Sequence, residues 1–137
     1  MNEHNYYFKH HFTVREANLL IPQLKDSLEL IHKLQDRILK EYPLVKEIAE
    51  GKVSDVGFPD SSEYLRKTNS ISREIQKISQ SGILIKDLKR GLVDFPHLSE
   101  GKEVLLCWEL GEREVLFWHE TEAGYAGRQP LYLDKDK

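Results

Sequence analysis

The sequence predicts an α+β fold, in which a long antiparallel helix pair packs with a small antiparallel β-meander. Up to residue 81 apolar residues recur at spacings of three and four, the period of one helix face. After Gly82 the period falls to two, as in strands whose side chains alternate between faces. Gly82 stands at the switch, where a glycine closes a helix in the left-handed conformation at low cost.

Residues 1–11 read as a polar, aromatic lead-in arm, with His4, His10 and His11 beside Tyr6, Tyr7 and Phe8. Tyr6–Phe12 suits a short edge strand or an ordered lead-in. Thr13-Val14-Arg15-Glu16 is a capping box, and Phe12 precedes it as a hydrophobic staple. A helix over about 14–42 follows, with Ala17, Ile21, Leu24, Leu28, Ile31, Leu34 and Ile38 on one face. Pro22 removes an amide donor inside this run, which predicts a kink or two abutting helices. Pro43 marks the end of the continuous helix near Tyr42; within 44–59, Val45, Ile48 and Ala49 suit a further helical turn or two, and Gly51, Gly57 and Pro59 then punctuate a loop. A second helix over 61–81, capped from Asp60–Glu63, carries Tyr64, Thr68, Ile71, Ile75 and Ile78 on its apolar face. The two stripes face each other, so 12–81 is the helical scaffold.

The β-meander and C-terminal loop occupy 82–133, with three to four strands near 83–87, 91–95, 103–110 and 114–119. Pro96 is expected to stop the second strand, since it cannot donate to a ladder. Ser99–Lys102 is a turn. A two-residue turn at Gly111-Glu112 pairs Trp108 with Val115, Leu106 with Phe117 and Val104 with His119, but it sets Glu109 across from Glu114, so a longer loop is the alternative. That register sends Cys107 and His119 to opposite faces and leaves both faces largely apolar. The helices cover one face. The C-terminal segment Tyr125–Leu131, a second subunit or a ligand must cover the other, which points to a homodimer unless the chain closes the face itself. Thr121–Pro130, with Gly124 and Gly127, reads as a shaped loop, and 134–137 should fray.

At 137 residues, 39% hydrophobic and 31% charged, the chain fits a single folded domain over 1–137. A net charge of −3 without a basic tract argues against a nucleic-acid partner. No apolar run suits a signal peptide or a membrane span, so the expected location is the cytoplasm. One cysteine gives no disulfide framework.

The polar residues set among apolar sequence are Asp87, Arg90, Asp94, Glu109, His119 and Arg128. They suggest a pocket in which Asp94 orients His119 for acid–base catalysis. Arg128 would grip a small anion, Trp108 or Trp118 would form an aromatic wall, and Asp87, Arg90 and Glu109 would complete the binding set. Cys107 reads as a small buried hydrophobe. No metal is assigned, because His97, His119, Asp94 and Glu120 show no ligand spacing, and no cofactor is identified. The competing reading joins Asp94 and Arg128 in a structural salt bridge, with His119 donating to a carbonyl. It makes the protein a structural or partner-binding module that self-associates. The alternative is an anion-binding protein or enzyme using Arg128, His119 and Asp94. Whether the chain is an enzyme stays open.

Gly82, Lys86-Asp87-Leu88, Gly91-Leu92-Val93-Asp94-Phe95-Pro96, Gly101, Val104, Leu106-Cys107-Trp108, Gly111-Glu112, Trp118-His119, Gly124 and Gly127-Arg128-Gln129-Pro130 form a recognisable pattern. With the opening Phe12–Leu24, it resembles the DUF2203 family of small bacterial proteins of unknown function. Ile85 stands where leucine is usual. The resemblance spans nearly the whole chain and implies a bacterial origin, but no activity.

Overall fold

The computed structural model describes residues 5–42, 47 and 62–131. The expected stretch at 44–59 apart from residue 47, the Asp60 cap and the terminal 132–137 lie outside the described residues.

Helix α1 spans Val14–Glu41. Its capping box forms in both directions, with Glu16 N–H donating to Thr13 Oγ1 at 3.0 Å and Thr13 N–H to Glu16 Oε1 at 2.8 Å. A single helix runs through Pro22, so two abutting helices are ruled out. Tyr42 ends it, donating its N–H to the Ile38 carbonyl. Helix α2 spans Ser62–Gln80 and packs along α1. Gly82 then turns the chain at φ +97°, the left-handed conformation that an L side chain rarely adopts.

Five antiparallel strands follow in sequential order, against the three to four expected: β1 Leu84–Asp87, β2 Leu92–Ser99, β3 Lys102–Glu109, β4 Phe117–Glu120 and β5 Gln129–Pro130. The loop expected at Thr121–Pro130 holds a 3₁₀ turn, Tyr125–Gly127, and this short last strand. β2 and β3 meet in a two-residue turn, where Glu100 and Gly101 both take positive φ.

Pro96 does not stop β2. It pairs with Leu105 inside the strand, and its carbonyl accepts from Phe12 N–H at 2.7 Å. In an extended strand the N and C=O of one residue point to the same side. The nitrogen of Pro96 therefore faces the lead-in beyond the end of β1, and no β2–β3 ladder bond is lost.

The β3–β4 register also differs from expectation by one residue. Leu105 pairs with His119, Leu106 with Trp118 and Cys107 with Phe117. Instead of a two-residue turn, residues 110–116 form a folded connection. Val115 N–H donates to Asn18 Oδ1 at 2.7 Å, and the Val115 side chain is completely buried in the core beneath α1. Trp108 Nε1 donates to the Glu112 carbonyl and Glu109 N–H to Glu112 Oε1, so the connection is held by side chains and not by a ladder. A one-residue slip sends every side chain of β4 to the other face.

The helix-facing side carries Val93, Phe95, Leu106 and Trp108, which join Ala17, Leu24, Leu28, Ile31 and Ile78 in the main core. The opposite face carries Asp94, Pro96, Leu105, Cys107, Phe117 and His119. The chain's own lead-in and C-terminal segments lie on it. The uncovered second face that suggested a homodimer is therefore closed from within one chain.

Candidate functional site

Three adjacent strands deliver the site to the sheet face away from the helices. β2 supplies Asp94, β3 supplies Cys107 directly opposite, and β4 supplies His119, diagonal to Cys107. All are buried, at 2%, 1% and 1% exposure. One ligand-capable atom from each lies within 4.8 Å of the other two. The expectation that Cys107 and His119 point to opposite faces is thus overturned by the register slip.

His119 Nε2 lies 3.1 Å from both Asp94 carboxylate oxygens, and its Nδ1 lies 2.7 Å from the Glu120 carbonyl. A carbonyl only accepts, so Nδ1 carries a proton and donates it. The ring is thereby fixed with Nε2 aimed at the carboxylate. The sequence-based pairing of Asp94 with His119, and of His119 with a carbonyl, is present in this geometry.

Arg128 does not pair with Asp94. Its two terminal nitrogens donate to Glu112 at 2.7 and 2.8 Å in a fork, its Nε donates to Cys107 Sγ at 3.3 Å, and one terminal nitrogen reaches the Cys107 carbonyl at 3.3 Å. The guanidinium also lies 4.2 Å over the Phe117 ring and 4.6 Å over Tyr125. Its carboxylate-gripping fork is filled by the chain's own Glu112, which makes Arg128 a group that positions Cys107 and the C-terminal segment. Burial pushes the Cys107 thiol up to about 11, against the opposing pull of the Arg128 hydrogen bond.

Neither tryptophan walls this site. Trp108 is buried in the helix-facing core and Trp118 packs against the same side. Phe117 and Tyr125 are the aromatic rings at the site. Arg90 donates to Glu109 at 3.0 Å and lies 4.3 Å over Tyr125. That hydrogen bond holds the Glu109 carboxyl below its usual range. Asp87 accepts from Arg90 N–H and shapes the β1–β2 turn. His97 and Glu120, considered with Asp94 and His119 as a metal set, alternate onto the helix-facing side. His97 Nδ1 there donates to the Phe12 carbonyl at 2.7 Å.

The lead-in arm is tied to the other end of this face by Glu103. Its carboxylate accepts from Tyr7 N–H at 3.0 Å and Phe8 N–H at 2.9 Å, and meets His11 Nε2 at 2.8 Å. Burial opposes its charge, but the contacts to His11, Phe8 and Tyr7 together hold the carboxyl below the usual range. A cavity of about 580 Å³ opens here, lined by Tyr7, Phe8, Leu84, Lys86, Glu103, Leu105, Thr121 and Glu122. Leu84 is the strand partner of Asp94 and Leu105 that of His119, which places the cavity beside the buried cluster. Asp94, Cys107 and His119 themselves line neither this cavity nor the groove of about 560 Å³ between α1 and α2.

Sequence reasoning missed Glu112, Glu103 and the membership of Cys107. Glu112 follows Gly111 and reads as a turn residue. Glu103 looks like a solvent-facing strand residue. Their partners lie 16 and more than 90 positions away, so no local pattern marks them. Among the described residues no helix is long and apolar enough to cross a membrane.

A family model described as "Uncharacterized conserved protein (DUF2203)" matches residues 10–131. Neither a curated protein nor a solved structure matches the chain.

Proposed function

The chain belongs to the DUF2203 family, and since that membership carries no reaction, we propose from the site itself that the protein binds a small molecule at the Asp94–Cys107–His119 cluster and uses His119 with Asp94 for acid–base chemistry. The observation that carries this reading is the buried cluster on the face away from the helices, with the cavity alongside it. A strictly structural sheet face of this size is filled more simply by apolar side chains. Ionisable groups with almost no exposure are costly unless paired, and they concentrate where chemistry is done. The cavity is mixed in character: Leu84, Leu105 and Phe8 offer an apolar body, while Lys86 and Glu122 offer charges of both signs.

The test is a thermal-shift screen of small carboxylates, phosphate esters, sugars and primary amines on the wild type and on Leu84→Trp, where the indole would fill the cavity. A ligand should raise the melting temperature of the wild type and not that of L84W, with both proteins melting alike without ligand. Equal stabilisation of both, or none with any probe, overturns the reading.

Self-association is the second reading. Leu19 and Leu30 lie eleven residues apart, about three turns, on one side of α1, with 72% and 40% exposure. Light scattering should then report a dimer, and a monomer at high micromolar concentration excludes it.

A further inference from the structure

We propose that Asp94, Cys107 and His119 form a mononuclear site for a divalent transition-metal cation of the zinc class, with one coordination position left open for a substrate oxygen or water. This deepens the reading above, on which it rests for the identity of the site, by naming what the cluster holds.

The donor set is one sulfur, one imidazole nitrogen and one carboxylate oxygen. A cysteine sulfur and an imidazole select zinc, cobalt or iron over magnesium or calcium, which take oxygen ligands. The spacing fits. A tetrahedral zinc with bonds of about 2.0–2.1 Å holds its nitrogen and oxygen ligands roughly 3.3 Å apart. Here Nε2 and the Asp94 oxygens are 3.1 Å apart. The ring is also set for ligation, because Nδ1 donates to the Glu120 carbonyl and leaves the Nε2 lone pair facing the carboxylate. Ligating histidines are oriented in this way by a carbonyl or carboxylate behind them. Without a cation, that lone pair faces a carboxylate, and the contact needs a proton shared between the two groups.

Arg128 supplies the matching support on sulfur. Its Nε donates to Sγ while Glu112 fixes the rest of the guanidinium, so a positive group sits beside the sulfur without occupying the centre. Among the described residues the cluster contains three ligand-capable side chains, the number typical of a reactive zinc site that keeps a fourth position open. On binding, the thiol proton, and any proton on Nε2, leave to solvent as the metal–sulfur and metal–nitrogen bonds form.

The experiment is a cobalt(II) titration of the full chain after treatment with a chelator. One cobalt per chain should bind, with a thiolate-to-cobalt charge-transfer band in the near ultraviolet and visible bands of tetrahedral intensity, and zinc should displace it. Cys107→Ser should lose the charge-transfer band. Arg128→Gln, which leaves the three ligands in place, should weaken cobalt binding by about 10–100-fold. His10→Ala with His11→Ala should leave the band intact. Cobalt bound without the thiolate band, a band that survives C107S or vanishes with the lead-in histidines, or no binding at micromolar metal overturns the proposal. If C107S does not fold by circular dichroism, X-ray absorption of the zinc-loaded wild type decides, by showing or lacking one sulfur neighbour. A blank organic-ligand screen with cobalt bound at Cys107 defeats only the small-molecule reading. An organic ligand blocked by L84W without cobalt binding defeats only the metal.

Discussion

Arg128 holds Cys107 at two atoms, with its Nε donating to Sγ and a terminal nitrogen to the carbonyl, both at 3.3 Å. This contact ties the segment after the 3₁₀ turn to the middle of β3. It works because Glu112, in the β3–β4 connection, takes the other side of the guanidinium with both carboxylate oxygens. A lysine carries the charge but has neither the fork nor the flat face that lies over Phe117. Arg128→Lys should therefore cost about 2 kcal/mol, between the values for exposed and for fully buried ion pairs. Urea denaturation measures it, and a cost no greater than that of a surface Arg→Lys change would show that the contact is idle.

Asp94 and His119 should be strongly coupled. Removing either partner alone takes from a buried polar group its main side-chain partner, at a cost of about 3 kcal/mol. Asp94→Leu with His119→Phe removes both and should cost much less than the sum of the singles. A double-mutant cycle on chemical denaturation gives the coupling directly. Additive losses would mean that the two groups do not depend on each other.

The lead-in arm should release in acid. The folded Glu103 carboxyl titrates below its ordinary value of 4.5, so its stabilisation is complete above that pH and is lost as pH falls through the lower folded value. Amide exchange at Tyr7 and Phe8, measured relative to the intrinsic rate at each pH, should rise in that window. Glu103→Gln should raise it already at neutral pH and cost about 1–2 kcal/mol. Exchange that does not respond to the substitution would show that the arm is held by other contacts.

Two glycines with positive φ separate strain from crowding. A methyl group on Gly91 would meet Leu110 Cβ at 2.6 Å, whereas one on Gly111 would meet nothing within 4 Å. Gly111→Ala should cost about 1 kcal/mol, from backbone conformation alone. Gly91→Ala should cost about 2 kcal/mol or more, since Leu110 must shift as well. Melting curves of the two variants test the order, and equal losses would contradict it.

Much of the scaffold was legible in the residues. The capping box at Thr13, the apolar stripes of both helices and the turn at Gly82 follow from local rules, because each depends on neighbours within one or two turns. The pairing of Asp94 with His119 could also be anticipated, as two polar residues set in strands. Pro96 misled because the rule against proline in strands depends on which side its nitrogen faces, and that side is set here by Phe12. The tryptophans misled because aromatic rings mark a core as often as a pocket.

The sequence by itself determined the helix pair, the change of period at Gly82 and the concentration of polar residues in the strands, all through local periodicity and capping. Only the tertiary structure decided which of those residues meet. Burying Val115 under α1, with its amide on Asn18, replaces a tight hairpin by a folded connection and shifts β4 by one residue. In a pleated strand that single step exchanges the two faces. It turns His119 toward Cys107 and Asp94 and sends Trp118 to the core. The energy that drives it lies between residues almost a hundred positions apart, where local periodicity gives no signal.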